Sequence, residues 1–510
     1  MSRRHIHPRI HGRRKWAAAW ALAITTGLMP QPSAAQLLPT DDAVEVAPAS
    51  LHRVAFSLPS STADDVTLPP AVDNSLSDFF PPVISQTGGS CAYASSIGHM
   101  LTYEWNRLMG TDAAASAQNR LSYLFVWNML NDGHDEGGFT AEAMQVPMRY
   151  GIMSEAEYGK SGQFQFRWAT GYDRYLAAMR RRVLTIYTMP DSIDLMRRYL
   201  YDKGQAGQAG GLLTFSAQST GWTIDDDYQW LSLTGYRSLL TSLATGGSHA
   251  MTLVGYDDSV RYADTEGIVH RGAFIVVNSW GEDWQDRGRF YLPYDFFRDP
   301  SVSTLQLGNT VEGVEVGTYA PMLVARLALS YTSRNDLYFR TARTASATRL
   351  PLQERQYPAF YCWGGDHPMQ GQFLSSDIEL AIDLTDLAAS ADSAAPAYWL
   401  NIVRSHRGTT LGEGRVTALE LIDYRDTPPR VYPYRGTLPA TLQLGNNFFS
   451  ISPLHPVFLP TSAHRYRNAQ GTLYADSTFV VGLADGRRAK LQFTAADTLS
   501  HTLTITYQLP

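Results

Sequence analysis

Cysteine is nearly absent. The 510 residues hold two, Cys91 and Cys362, so at most one disulfide is available and the fold must stand on packing. Basic charge is also short. Lys and Arg total 42 against 48 Asp and Glu, a net charge of −6, which lacks the surplus of a nucleic-acid binder. The apolar stretch Trp16–Met29 has 14 residues, below the about 20 a spanning helix needs. There is no His-Glu-x-x-His zinc pattern, no phosphate loop and no Gly-x-Ser-x-Gly elbow. No metal or cofactor is therefore expected. With 44% hydrophobic and 18% charged residues, the chain reads as folded protein and not as a disordered tail.

What is present divides the chain. Arg3, Arg4, Arg9, Arg13, Arg14 and Lys15 precede the apolar stretch, and Ser33 and Ala35 follow it with small-residue spacing. This reads as an export signal over 1–35, cleaved after Ala35, and predicts a secreted, periplasmic or cell-surface protein with no stable membrane insertion. Residues 36–67 show no clear period and read as a propeptide or N-terminal arm. Residues 68–320 are mixed: helical stretches are expected at 91–108, 119–130, 140–150 and 190–203, and buried strands at His249–Tyr256 and Ala273–Asn278. From 321 to 510, alternation such as Ile378, Leu380, Ile382, Leu384 predicts strands alone. Asp485-Gly486 marks a hairpin, and Ala388–Ala397 reads as a flexible loop. That region is expected to be an all-β sandwich.

Cys91 opens a helical stripe formed by Tyr93, Ile97, Met100, Leu101, Trp105 and Leu108, behind the turn Gly88-Gly89-Ser90. A thiol in the first turn of a helix faces unpaired N–H groups and the positive end of the dipole, which stabilise the thiolate. A lone cysteine is more often a small buried residue, but two further motifs accompany this one. Gly247-Ser248-His249-Ala250 opens one apolar strand, and Val277-Asn278-Ser279-Trp280-Gly281 closes the next.

In this order, Gln86…Cys91, His249 and the Asn278-Ser279-Trp280-Gly281 run resemble the papain family of cysteine peptidases. Trp284, Gly288-Arg289-Phe290 and the pair Gly137-Gly138 agree with it, and the resemblance covers about 68–300. It implies an α+β, two-lobed catalytic domain with a helical lobe and a β lobe. It implies Cys91 as nucleophile, His249 as base, Asn278 as the residue orienting the histidine, and Trp280 screening that contact from water. The Gln86 amide and the Cys91 N–H would hold the oxyanion, and Gly137, Gly138 and Ser248 would line the substrate. A Cys–His ion pair would depress the thiol, to about 3–4 in papain.

There are departures. His249 follows Cys91 by 158 residues, more than the family's about 130–150, with Asp202–Gly210 as a place for an insertion. Asn278 follows His249 by 29, with Asp257–Arg271 read as an enlarged loop, and Ala92 stands where an aromatic residue is usual.

The resulting expectation is a secreted endopeptidase acting on protein or peptide substrates, with no nucleic-acid partner. Two alternatives stand beside it: an amidase or transpeptidase of the same fold on a non-protein or cell-surface substrate, and a non-catalytic surface-binding protein in which the β region does the work. His99 is read as core or surface, His134 as solvated, His270 as a loop residue, Cys362 as packed and Asp225–Asp227 as an acidic turn.

Overall fold

The runs around His249 and Asn278 pair with each other. Gly246–Ala263 and Val269–Val277 are antiparallel neighbours, with Thr252 opposite Val277. Along the second strand Ala273, Ile275 and Val277 join one apolar core while Phe274 and Val276 join another. Both sheet faces are thus buried, which is why the run reads as continuously apolar and not alternating. The computed structural model describes residues 53–58, 66–159, 166–242, 246–263, 266–298, 311–344, 350–351, 354–361, 364–388, 396–407 and 411–452. It also gives the backbone of short strands at Thr40–Asp41 and between Arg465 and Gln508. The export-signal reading, Cys362 and Asp485-Gly486 lie outside the described residues, as do most of the 388–397 loop and much of 36–67. Thr40–Pro510 forms one compact unit.

Ten strands of that unit form one sheet. From one edge the order is Arg53–Ala55, Arg181–Thr188, Glu312–Thr318, Leu213–Thr220, Gly246–Ala263, Val269–Val277, Arg289–Pro293, Leu239–Ser242 and Thr223–Asp225, with Ala71–Asp73 pairing beside the long central strand. Helix Ile193–Asp202 covers one face, and the helices Tyr123–Leu130 and Thr140–Arg149 belong to the core on the other. Strand pairing continues through Arg261–Arg271, Tyr262–His270 and Ala263–Val269. The expected enlarged loop at Asp257–Arg271 is therefore mostly strand, because its polar residues lie at the exposed end of a ladder whose backbone groups still pair. The long Cys91–His249 interval includes a hairpin, Thr223–Asp225 with Leu239–Ser242, whereas Asp202–Gly210 is a short turn after Lys203 in the left-handed conformation.

Past Leu323 the described elements are strands and single 3-10 turns. One antiparallel sheet holds Asp377–Asp383, Leu323–Tyr331, Gly414–Asp423 and Arg430–Pro433 in that order, and another holds Arg355–Tyr361, Leu337–Thr344, Ala397–Arg404 and Gly445–Ile451. Leu327, Leu380 and Leu421 from the first, and Phe339, Leu400 and Ile402 from the second, share a core that runs on into Trp168, Tyr175 and the helices around Cys91. Among the described residues no helix is long and apolar enough to cross a membrane.

Candidate active site

Cys91 begins a helix of three consecutive stretches, Cys91–Tyr93, Ala94–Leu101 and Thr102–Met109. The middle stretch is a π-helix. Its wider turns rotate the last stretch, so Leu108, expected on the buried stripe, ends 46% exposed while Tyr93, Ile97, Met100 and Leu101 are buried. Ser90 occupies the N-cap position without capping. Its hydroxyl donates to Thr87 O at 2.6 Å and accepts nothing from the helix. The first N–H groups stay available, and those of Cys91 and Ala92 point at the thiol.

The long strand brings the second group. Ala217 lies opposite His249, and the backbone of Ala250, the next residue, reaches the Cys91 sulfur. His249 is 5% exposed and Cys91 half-buried. Asn278 is fully buried at the end of the neighbouring strand, and its Oδ1 lies 2.6 Å from His249 Nε2. The same oxygen accepts the Ser279 N–H at 2.7 Å. A shared acceptor means that His249 Nε2 carries the hydrogen, so in the neutral ring the lone pair is on Nδ1. Trp280 stacks on the imidazole, with centroids 4.7 Å apart and planes at 23°. Trp222 meets the ring edge-on at 6.3 Å, and Trp284 and Phe290 complete an aromatic enclosure. Asn278 Nδ2 makes no hydrogen bond there.

Gln86 is fixed from the asparagine side. Its N–H donates to Ser279 O at 2.8 Å, and its Oε1 accepts the Ser279 hydroxyl at 2.6 Å. That turns the amide nitrogen toward the turn before Cys91, where Nε2 donates to Gly88 O at 2.7 Å and keeps a second hydrogen. Behind this segment sits His99, fully buried. Its Nε2 accepts the Ile84 N–H at 3.2 Å and its Nδ1 faces the Thr252 hydroxyl at 3.4 Å. A Cβ at Gly98 would lie 2.2 Å from Ile84 Cδ1, so glycine lets the Gln86 segment lie on the helix. His99 is thus core, tying the Gln86 segment to the His249 strand.

The opposite wall is built from glycine turns. A Cβ at Gly138 would come within 2.3 Å of the Tyr93 hydroxyl, and one at Gly89 within 3.0 Å of Gly137 N. Asp135 Oδ1 accepts the Gly89 N–H at 2.7 Å, fastening the two turns together. This wall rests on the C-terminal strands. Asp132 Oδ1 accepts the Gly365 N–H at 3.3 Å, His367 Nε2 lies 3.3 Å from Gly133 O, and Trp168 N donates to Gln370 O. Beneath them Arg334, fully buried, donates to the carbonyls of Gly364, Met369 and Phe166 and lies over the Trp168 ring. Burial pulls its guanidinium down to about 9.

Ser248 is exposed, opposite Gln218 in the ladder. His270 Nδ1 lies 2.6 Å from Asp295 Oδ2 on the ladder's far end, and His134 is exposed. Asp225 accepts the Asp227 N–H, and Asp227 pairs with Arg237. Among the described residues no group of three or more His, Cys, Asp or Glu side chains could hold a metal.

The electrostatics differ from the sequence expectation of a depressed thiol. Burial pushes the Cys91 thiol up, against the pull of the Ala250, Ala92 and Cys91 N–H groups, and burial pushes the His249 imidazole down, against its bond to Asn278. Desolvation penalises both charged forms, so burial favours the neutral thiol and the neutral imidazole.

Comparison with solved structures gives similarities to xylellain, a cysteine protease from Xylella fastidiosa (17% identity, TM-score 0.36, 57% of this chain and 99% of that one). The chain is also similar to digestive procathepsin L 3 of Tenebrio molitor larval midgut (16%, 0.34, 55% and 76%) and to the bromelain protease of Ananas comosus in complex with the E64 inhibitor (17%, 0.30, 49% and 99%). No family model and no curated protein matches. The site's own geometry carries the functional reading.

Of the residues sequence reasoning passed over, Ser279 stood inside a motif already singled out. Trp222, Asp135 and Arg334 carry no local signal, since each acts through a partner distant in the chain.

Proposed function

We propose that the protein is an exported cysteine endopeptidase that cleaves peptide bonds through Cys91, His249 and Asn278. The observation that carries this reading is the shared Asn278 Oδ1, which holds His249 by Nε2 and leaves Nδ1 for a thiol seated at a helix N-terminus beside Ala250. His249 removes the Cys91 proton as Sγ attacks the scissile carbonyl carbon, forming the S–C bond. The Cys91 N–H and the Gln86 amide hold the developing oxyanion. His249 then gives the proton to the leaving amine, and the C–N bond breaks. Water attacks the thioester, His249 takes the water proton, the S–C bond breaks and the proton returns to sulfur. Trp280, Trp222 and Trp284 keep water off the His249–Asn278 bond. The C-terminal sheets serve as a β domain that supports the cleft, and cleavage after Ala35 would release the chain from the cell interior. The test is hydrolysis of a fluorogenic peptide pool by the protein and by Cys91→Ala. Activity lost in the variant supports the reading, and equal activity contradicts it.

A further inference from the structure

We infer that His99 is a positioning residue for the oxyanion site: its ring holds the segment carrying the Gln86 amide at a set place on the Cys91 helix. The inference rests on the peptidase reading and adds a residue to that site. Ile84, Ser85 and Gln86 run beside Ser279, Trp280 and Gly281 as a short ribbon. Gly281 N donates to Ile84 O at 3.0 Å, Ser85 bridges to Trp280, and Gln86 N donates to Ser279 O at 2.8 Å. One side of the ribbon carries the Gln86 amide. The other carries Trp280, stacked on His249, and the Ser279 N–H that shares Asn278 Oδ1. The Ile84 N–H goes to the helix, where His99 Nε2 accepts it at 3.2 Å.

The ring serves in one form. Because Nε2 accepts, the neutral imidazole carries its hydrogen on Nδ1, which faces Thr252 Oγ1 at 3.4 Å, and that hydroxyl donates to Ser95 O at 3.2 Å. Thr252 stands on the His249 strand opposite Val277, the residue before Asn278. One side chain therefore joins the Gln86 ribbon, the Cys91 helix and the strands of His249 and Asn278. The ring is fully buried, Phe80 stacks on it at 5.4 Å, and burial pulls it down to about 3, so Nε2 keeps its lone pair above that pH. His99 and Cys91 share one helix, so the His99–Ile84 bond sets the Gln86 amide relative to the Cys91 N–H. Those donors act on charge that develops only in the transition state, so displacing one costs kcat and leaves substrate binding alone.

The experiment compares His99→Asn, whose amide replaces Nδ1 and falls short of Nε2, with His99→Gln, whose amide oxygen reaches the Nε2 position. Both are polar and neither titrates, so the difference between them reads the bond to Ile84. Rates on one fluorogenic peptide are counted per Cys91 alkylated by iodoacetamide at about pH 6.5, where an unassisted thiol stays protonated. His99→Asn should lose about tenfold or more in kcat, with KM and the alkylation rate within about twofold, and His99→Gln should stay within about threefold of the protein. Gln86→Ala should lose about 10²-fold, and adding His99→Asn to it should cost little more. Equal losses in the Asn and Gln variants, no loss in His99→Asn, or a fall in Cys91 alkylation that matches the fall in kcat would make the ring structural alone. Each overturns the assignment and leaves the peptidase reading standing. No Cys91-dependent hydrolysis by the intact protein overturns both.

Discussion

The two walls of the cleft are made by different means. On the His249 side, His249 lies on one strand, Asn278 follows the end of the next, and Trp222, Trp280, Trp284 and Phe290 pack around the imidazole. On the other side, Gly88–Gly89 and Gly137–Gly138 have no side chains and pack through their backbones, Gly89 against Gly137 and Gly138 against Tyr93. Asp135 holds Gly89, and its loop is anchored through Asp132 and Gly133 to the 364–370 segment, a loop between two C-terminal strands. One wall is rigid through close contact and the other through a relay of hydrogen bonds to a distant part of the chain. In the proposed mechanism the first wall moves protons and the second receives substrate, so damage to each should read out in a different kinetic constant.

The largest effect tests the first wall. Cys91→Ala and His249→Ala should each lower kcat by about 10⁴-fold or more, and the double variant should lose little beyond either single one, because the two act as a unit. Asn278→Ala should cost less, on the order of 10²-fold in kcat, since it orients the ring and transfers no proton. Additive losses measured for Cys91 and His249 would break the pairing.

The second wall is tested from the C-terminal side. A Cβ at Gly133, where φ is +71, would lie 2.7 Å from Gly365 Cα and 2.9 Å from His367 Nε2. Gly133→Ala should push the loop off its anchor and raise KM several-fold while kcat changes little. Steady-state kinetics on one peptide decides this, and a fall in kcat alone would mean the loop is not a substrate wall. The continuous core also bears on the support that the C-terminal sheets are proposed to give the cleft: expressed alone, 68–320 is expected to bind substrate more weakly than the full chain.

Acid should loosen the seam between the Gln86 segment and the His249 strand through buried His99. Burial holds His99 down to about 3, against an ordinary value near 6.5. Between those values the unfolded chain binds a proton that the folded chain refuses, so stability falls as pH drops from about 6.5 toward 3 and is unaffected by His99 above that window. Thermal melts across this range check it, and His99→Gln should flatten the slope. The smallest expected effect belongs to the N-terminal arm. Arg53–Ala55 pairs with Arg181–Thr188, and three strands separate it from the His249 strand, about 19 Å away at sheet spacing. Phe56 is buried against Tyr187 and Tyr199. Chains starting at Gln36 and at Leu68 should differ in melting temperature more than in rate.

The motifs were legible because their chemistry is local. A cysteine at a helix start, a histidine opening an apolar strand and an asparagine ending the next can be read where they stand. The strand identity of Asp257–Arg271 was not legible, since pairing at an exposed ladder end leaves polar residues with no apolar period. Nor was the histidine's environment: how far His249 is desolvated depends on Trp222 and Trp280 packing on its ring, which no spacing records. Asp135 and Arg334 were invisible for the same reason, as their partners lie 46 and 168 residues away.

The pH dependence of Cys91 alkylation by iodoacetamide, with the labelled site read by mass spectrometry, tests the Cys91–His249 unit most directly. Burial lowers His249 and raises Cys91. In the intact protein, alkylation should therefore rise with a midpoint below about 6.5, once His249 Nδ1 is free to take the thiol proton. In His249→Ala it should rise only at or above about 8.5, where an unassisted thiol ionises. Coincident profiles for the two proteins, or label carried by Cys362 in place of Cys91, would contradict the account.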